Sequence, residues 1–273
     1  MNIGFVGVGN MGGAIVKGYA GSGEAAGDPG ALYIYDSDRE KTAALEALGL
    51  HVRVAGSISE LADGSDAIVL CVKPGIMEQV LDELAASLND QDEKLVISIA
   101  AGISIAFVQE KLGAGSKVVR VMPNTPAMVG EGMSAMSASG GLSDADKSAA
   151  EKIFSAVGSA VWVEEEYMDI VTGISGSSPA YAYLYIEGLV RAGVDGGLSE
   201  EAATIMAAQS TIGAGRMALE NLGSAKPRQL CENVCSPGGT TIEAVKVLEE
   251  AGFVETVSKA AAASAAKSKL MTK

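Results

Sequence analysis

Ile3-Gly4-Phe5-Val6-Gly7-Val8-Gly9-Asn10-Met11-Gly12 decides the fold of this 273-residue chain. A short apolar run, Ile3–Val8, ends in glycines, and the next residues, Met11–Tyr19, carry apolar positions at helical spacing. Gly7, Gly9 and Gly12 therefore stand in the pattern G-x-G-x-x-G at a strand-to-helix junction. Each glycine has its own task there. The first permits a tight turn, the second lets a pyrophosphate approach the backbone, and the third lets the helix lie close to the strand. The helix start adds N–H groups and the positive end of a dipole. Gly7, Gly9, Asn10, Met11 and Gly12 are thus candidate dinucleotide-binding residues. Asp36, 24 residues beyond Gly12, closes a second strand, Leu32–Tyr35, where a carboxylate can accept from a ribose hydroxyl. That favours NAD. Ser37 and Arg39 follow at once and are placed to hold the extra phosphate of NADP, so the choice between the nucleotides stays open.

Working outward, strand and helix patterns alternate through the first half. Helices are expected at Arg39–Leu48, Met77–Leu88 and Ile105–Leu112. Strands are expected near Val52 and at Ala67–Val72, Leu95–Ile99 and Val118–Met122. Near-continuous apolar strands between helices mean a parallel sheet covered on both faces, the doubly wound α/β plan of a Rossmann domain. Gly130–Ser139 and Ala160–Val163 add possible edge strands around a helix at Asp144–Val157, with Ser143 as its N-cap. Beyond Glu164–Glu166 only helices are expected, at Pro179–Val194, Ser199–Leu222, Thr241–Glu250 and Thr256–Leu270. The division expected is 1–163 for the dinucleotide-binding domain and 164–273 for an all-helical domain.

Composition narrows the function. The balance of 20 Lys and Arg against 34 Asp and Glu leaves a net charge of −14, without a strongly basic stretch, which argues against a nucleic-acid partner. No run of about 18 apolar residues suggests a membrane span. The N-terminus reads as strand and turn instead of a leader, and Cys71, Cys231 and Cys235 are too few for a disulfide framework. A cytoplasmic protein is expected. The single histidine, His51, makes a His-rich metal site or a Ser-His-Asp hydrolase improbable, and no metal is expected. An enzyme of this composition would leave the hard chemistry to a cofactor.

Three later segments are dense in chemistry. Val72-Lys73-Pro74 ends a central strand, where ligands bind in such sheets. Ile97–Gly102 (ISIAAG) and Val118–Gly132 (VVRVMPNTPAMVGEG) both run from strands into loops at that edge. Asn233–Ile242 (NVCSPGGTTI) places Ser236, Gly239, Thr240 and Thr241 at a helix start, which suits either an anion or ordinary capping.

With these segments in view, the chain resembles the pyrroline-5-carboxylate reductases over nearly its whole length. MPNTPA and SPGGTT are highly specific to that family, whereas GNMG is shared with other Rossmann reductases. The resemblance implies a Rossmann domain followed by an all-α dimerisation domain, a homodimer or larger homo-oligomer, and reduction of 1-pyrroline-5-carboxylate to L-proline by NADPH or NADH. It implies that Gly7–Gly12 bind pyrophosphate, that Lys73 and Pro74 line the cofactor, that Ala100 and Ala101 lie on the nicotinamide side, and that Asn233 is another cofactor contact. Ser236 with the Gly239, Thr240 and Thr241 backbone would hold the substrate carboxylate, and the Thr241 hydroxyl would face the ring nitrogen as the catalytic side chain. Cysteines at 231 and 235 depart from the usual family pattern. A pair four residues apart with no further His or Cys nearby makes a poor metal site.

The chemistry fits one histidine. Hydride adds to the C=N carbon, the nitrogen ends protonated, and an iminium is already electrophilic, so positioning suffices. The nearest rival is a β-hydroxyacid dehydrogenase, which needs a lysine in the first long helix of its second domain. Glu164–Ala225 contains no lysine, only Arg191 and Arg216. A nucleotide-sensing module without catalysis is disfavoured by the intact SPGGTT loop.

Overall fold

A computed structural model describes residues 1–22, 30–88 and 93–273. They form two compact units, residues 1–176 with 263–273, and residues 177–262.

The first unit is built on an eight-stranded sheet of order β3-β2-β1-β4-β5-β6-β7-β8. Its strands are β1 (Ile3–Val6), β2 (Leu32–Tyr35), β3 (Val52–Val54), β4 (Ala67–Leu70), β5 (Leu95–Ser98), β6 (Lys117–Met122), β7 (Gly132–Ala138) and β8 (Gly158–Trp162). The pairs from β3 to β6 are all parallel. The expected glycine-closed run Ile3–Val8 is extended only to Val6, because Gly7 turns the chain at φ +89°. β1, β4 and β5 are buried along their whole length, which is why their sequences read as unbroken apolar runs.

The sheet departs from an all-parallel reading at one place. β7 runs antiparallel to β6, and β8 then runs parallel to β7. Only Pro123–Glu131 joins β6 to β7, too short for the crossover a parallel neighbour requires. The β7–β8 connection does contain a crossover helix, and their pairing is parallel.

Helices α1 (Asn10–Gly21), α2 (Arg39–Glu46), α3 (Ile58–Gly64), α4 (Met77–Ser87), α5 (Ile105–Leu112) and α6 (Asp144–Ser155) cover the sheet. Two apolar clusters result, one per face. Ile15, Val16 and Phe154 lie in the first, and Leu61, Leu81 and Val108 in the second. α3 is absent from the apolar-spacing reading, although Ser57 and Glu60 mark its start. The Ser57 hydroxyl accepts from the Glu60 N–H at 3.1 Å. α6 opens with the expected Ser143 cap in a reciprocal capping box with Asp146.

The first unit extends past Glu164 through α7 (Met168–Val171) to Gly176, since Met168 and Val171 are buried with Ala135. Its C-terminal segment returns to the sheet. Ser268 donates to Asp169 at 2.7 Å, and the Lys273 N–H donates to the Gly102 carbonyl at 2.8 Å.

The second unit contains α8 (Ser178–Asp195), α9 (Glu200–Glu220), α10 (Pro227–Val234), α11 (Thr240–Glu250) and the first part of α12 (Phe253–Met271). α8 and α9 approach closely where Gly193 meets Ala203. A Cβ on Gly193 would lie 2.8 Å from that of Ala203. Only Ala203 and Ala207 are buried apolar residues of α9, while Leu184, Ile205, Met206 and Leu219 are at least 60% exposed in the single chain. Such an apolar exposure exceeds what a soluble surface usually leaves open.

Candidate active site

In the first unit, the residues after β1, β2 and β4 converge at the C-terminal edge of the sheet. A groove of about 420 Å³ is lined there by Gly7, Gly9, Tyr35, Asp36, Ser37, Lys41, Val72 and Lys73, among others. The three fingerprint glycines have three different environments. Gly7 has the positive φ that its turn requires. A Cβ on Gly12 would fall 2.2 Å from the Gly7 carbonyl oxygen and 2.9 Å from Cys71 Cβ, so only glycine lets α1 lie against the loop. A Cβ on Gly9 would meet nothing within 4 Å, so the space over this residue is free of protein. Gly9 is also the N-cap of α1, and no side chain caps that helix. Its leading N–H groups need an external acceptor. A dinucleotide pyrophosphate fits this cradle in both shape and charge.

Asp36 is mostly buried, and its carboxylate is already engaged. One oxygen accepts from the Val8 N–H at 2.9 Å. The other accepts from the Asp38 N–H at 2.9 Å and sits 3.5 Å from Lys41 Nζ. Asp36 thus ties β2 to the fingerprint loop. Ser37 lines the groove, but Arg39 is directed elsewhere. Its guanidinium donates to the Ala55 and Gly56 carbonyls at 3.1 and 3.0 Å. The cation beside Asp36 in the groove is Lys41, which sequence reading passed over. The signal was there, since Lys41 stands in the first turn of α2, three residues after its N-cap Asp38. Asn10 faces an adjoining pocket shared with Gly9, Lys17, Lys41 and Met128, while Met11 packs on the core.

Lys73 is exposed at the groove, and Pro74 opens the short 3-10 turn Pro74–Ile76 behind it. Ala100 is buried in the core beside Val6 and Ile103, so only its backbone belongs to the edge loop. Ala101 and Gly102 continue that loop, which the Lys273 backbone brackets by accepting from Ser104 as well as donating to Gly102. Asn124 of the MPNTPA segment is a structural tie. Its amide donates to the Ser175 carbonyl and accepts from the Met133 N–H. His51 precedes β3, at the end of the sheet opposite the groove. The Cys71 thiol is pushed well above its ordinary pKa by burial, which makes it an inert packing group.

In the second unit, α10 ends at Val234 and Ser236–Gly239 forms a tight turn. The Gly239 N–H donates to the Ser236 carbonyl at 2.9 Å, with Pro237 leading and Gly238 at φ +70°, the sequence pattern of a type II turn. Gly239 is the N-cap of α11 and no side chain caps this helix either. Thr240 and Thr241 are its first residues, so the helix starts one residue earlier than the sequence suggests. Thr241 is half-buried. The turn therefore presents Ser236 and the first N–H groups of α11 together. Asn233, in the last turn of α10, accepts from Gln229 at 3.2 Å and is exposed. Desolvation, followed by the neighbouring Cys231 sulfur, raises the Cys235 thiol above its ordinary pKa, which leaves it a poor nucleophile at neutral pH.

Comparison with known proteins also finds two parts, with bounds different from those of the compact units. Residues 165–271 match the family profile "Pyrroline-5-carboxylate reductase dimerisation", and residues 2–102 match "NADP oxidoreductase coenzyme F420-dependent". The pyrroline-5-carboxylate reductase of Escherichia coli (strain K12) is 42% identical over 99% of this chain and 98% of its own. That of Pisum sativum is 37% identical over 98% and 94%. Among solved structures, a pyrroline-5-carboxylate reductase from Coxiella burnetii superimposes with TM-score 0.91 at 35% identity, covering 100% of this chain and 98% of that one. The Plasmodium falciparum enzyme, solved with NADP bound, gives 0.84 at 35% identity with the same coverage. The dinucleotide cradle, the capless SPGGTT helix start and this end-to-end similarity together place the chain in the pyrroline-5-carboxylate reductase family, NAD(P)H-dependent oxidoreductases that act on a C=N bond.

Proposed function

We propose that Thr241 is the catalytic side chain with which this enzyme reduces 1-pyrroline-5-carboxylate to L-proline, the last step of proline biosynthesis. The observation that carries the reading is the uncapped start of α11, where a turn leaves Ser236, Gly239, Thr240 and Thr241 able to receive a carboxylate. Those N–H groups and the Ser236 hydroxyl fix the carboxylate of the substrate. The Thr241 hydroxyl then hydrogen-bonds the ring nitrogen, which carries the proton as the C=N carbon becomes saturated. No titrating base is required of the protein, in keeping with its single histidine.

NAD(P)H supplies the hydride when bound. The residues proposed to hold it are Gly7, Gly9, Asn10, Met11 and Gly12 at the pyrophosphate, and Asp36 and Ser37 near the adenosine ribose. Lys73, Pro74, Ala100, Ala101 and Asn233 line its further length, and Ala100 contributes through its backbone. Residues 1–163 form the cofactor-binding part in this reading, and 164–273 serve dimerisation and the substrate. The exposed apolar faces of α8 and α9 support at least a homodimer. No described helix is long and apolar enough to cross a membrane, and we assign the enzyme to the cytoplasm.

Steady-state kinetics of Thr241→Ala and Thr241→Ser test the central assignment. Losing one hydrogen bond to a charged group lowers kcat/KM by about 10- to 100-fold, and serine restores most of it. Unchanged kinetics in Thr241→Ala would remove Thr241 from the mechanism.

A further inference from the structure

We propose that Lys41 is the residue that admits a 2′-phosphate beside Asp36, so that the groove accepts NADPH as well as NADH. The proposal rests on the dinucleotide-binding reading above and adds the determinant of nucleotide choice.

An acidic residue at the end of β2 ordinarily reads the ribose hydroxyls and repels a 2′-phosphate. In this chain three hydrogen-bond partners occupy the Asp36 carboxylate from the protein side, and it is 8% exposed. Its charge is offset by Lys41, whose ammonium lies 3.5 Å from both Asp36 and Asp38. Lys41 keeps 44% of its side chain exposed and lines both the main groove and the pocket beside it. Ion pairs this long and this exposed hold a side chain weakly. The ammonium is therefore free to turn from Asp38 to an incoming phosphate, where it gains a charge-assisted hydrogen bond. Ser37 lines the same groove and adds a hydroxyl donor. Arg39, the other cation of the segment, is spent on the Ala55 and Gly56 carbonyls and leans over the Tyr35 ring at 5.8 Å.

The charges around the site make two opposite predictions. Lys41→Met removes the cation and leaves Asp36 and Asp38 facing the phosphate. Asp38→Asn removes a repelling charge, while asparagine still caps α2 as well as aspartate does. Dissociation constants for NADPH and NADH are measured by fluorescence titration on the full-length protein and both variants. Displacement by 2′,5′-ADP and by 5′-ADP isolates the phosphate. In Lys41→Met, NADPH and 2′,5′-ADP weaken by about tenfold or more, while NADH and 5′-ADP change by less than about threefold. In Asp38→Asn, NADPH tightens and NADH does not. Equal weakening of both nucleotides in Lys41→Met, or no weakening of either, overturns the assignment. Proline formation by the wild-type protein is followed in parallel. Turnover combined with an unaltered nucleotide ratio in Lys41→Met refutes the role of Lys41 alone and leaves the reductase reading standing.

Discussion

Two alanine substitutions in one short loop have opposite consequences. In Gly12→Ala the new Cβ would sit 2.2 Å from the Gly7 carbonyl oxygen, whereas ordinary contact begins at 3.4 Å. The second obstacle, Cys71 Cβ at 2.9 Å, is also fixed by the sheet. Neither neighbour is the end of a flexible side chain, so α1 must retreat by roughly 1 Å, an overpacking cost of about 1–3 kcal/mol. In Gly9→Ala the methyl meets no protein atom within 4 Å, and the residue's φ of −67° suits alanine. Stability then falls by at most about 1 kcal/mol, the cost of a poorer N-cap. The methyl does occupy the space proposed for the pyrophosphate, so NAD(P)H binding weakens by about tenfold or more. Urea unfolding and nucleotide titration on both variants separate the effects. Gly12→Ala loses stability and, as the helix start moves, affinity too. Gly9→Ala loses affinity alone. A wild-type unfolding midpoint for Gly12→Ala, or wild-type affinity for Gly9→Ala, would refute the reading of the loop.

Other expectations concern stability and pH. Glu165 accepts from both Arg120 Nη1, at 3.1 Å, and the Ile105 N–H, at 2.8 Å, and the Arg120 side chain is only 9% exposed. Glu165→Ala strands a nearly buried guanidinium and costs about 2–3 kcal/mol by chemical denaturation, less than a fully buried pair because Glu165 itself is one-third exposed. Ser143→Ala breaks the capping box of α6 and costs about 1 kcal/mol at neutral pH. Asp146 belongs to that box. Desolvation opposes its ionisation, but the Ser143 hydroxyl and N–H and the Lys117 ammonium outweigh it and hold the carboxyl below its ordinary 3.8. A depressed folded-state pKa gives stability that is fully present above 3.8 and lost as pH falls through the lowered value. The gap between wild type and Ser143→Ala therefore narrows in acid unfolding below that point, and a constant gap would contradict the pairing.

Much of the sheet was legible because fully buried parallel strands carry continuous apolar runs, as in Ala67–Leu70 and Leu95–Ser98. The antiparallel turn into β7 was not, since strand direction is set by the length of the Pro123–Glu131 connection and not by apolar pattern. α3 escaped because it spans only Ile58–Gly64, too short for periodicity, so its one visible signal was the Ser57–Glu60 spacing. At the nucleotide edge, sequence proximity to Asp36 pointed to Arg39, but backbone carbonyls at Ala55 and Gly56 capture its guanidinium. Those carbonyls are brought close by the β2–β3 pairing, which local sequence does not encode. Lys41, in the first turn of α2, is instead the cation held at the groove, 3.5 Å from both Asp36 and Asp38. The helix start after SPGG was readable to within one residue from its Ser, Gly and Thr content, whereas the turn that Pro237 and Gly238 form before it was not read.

The most direct test is conversion of substrate to product. Purified protein mixed with 1-pyrroline-5-carboxylate and NADPH, and separately with NADH, should oxidise nucleotide and form L-proline in equal amounts, one for one. Nucleotide oxidation without proline, or no turnover with either nucleotide by a folded protein that binds them, would contradict the account.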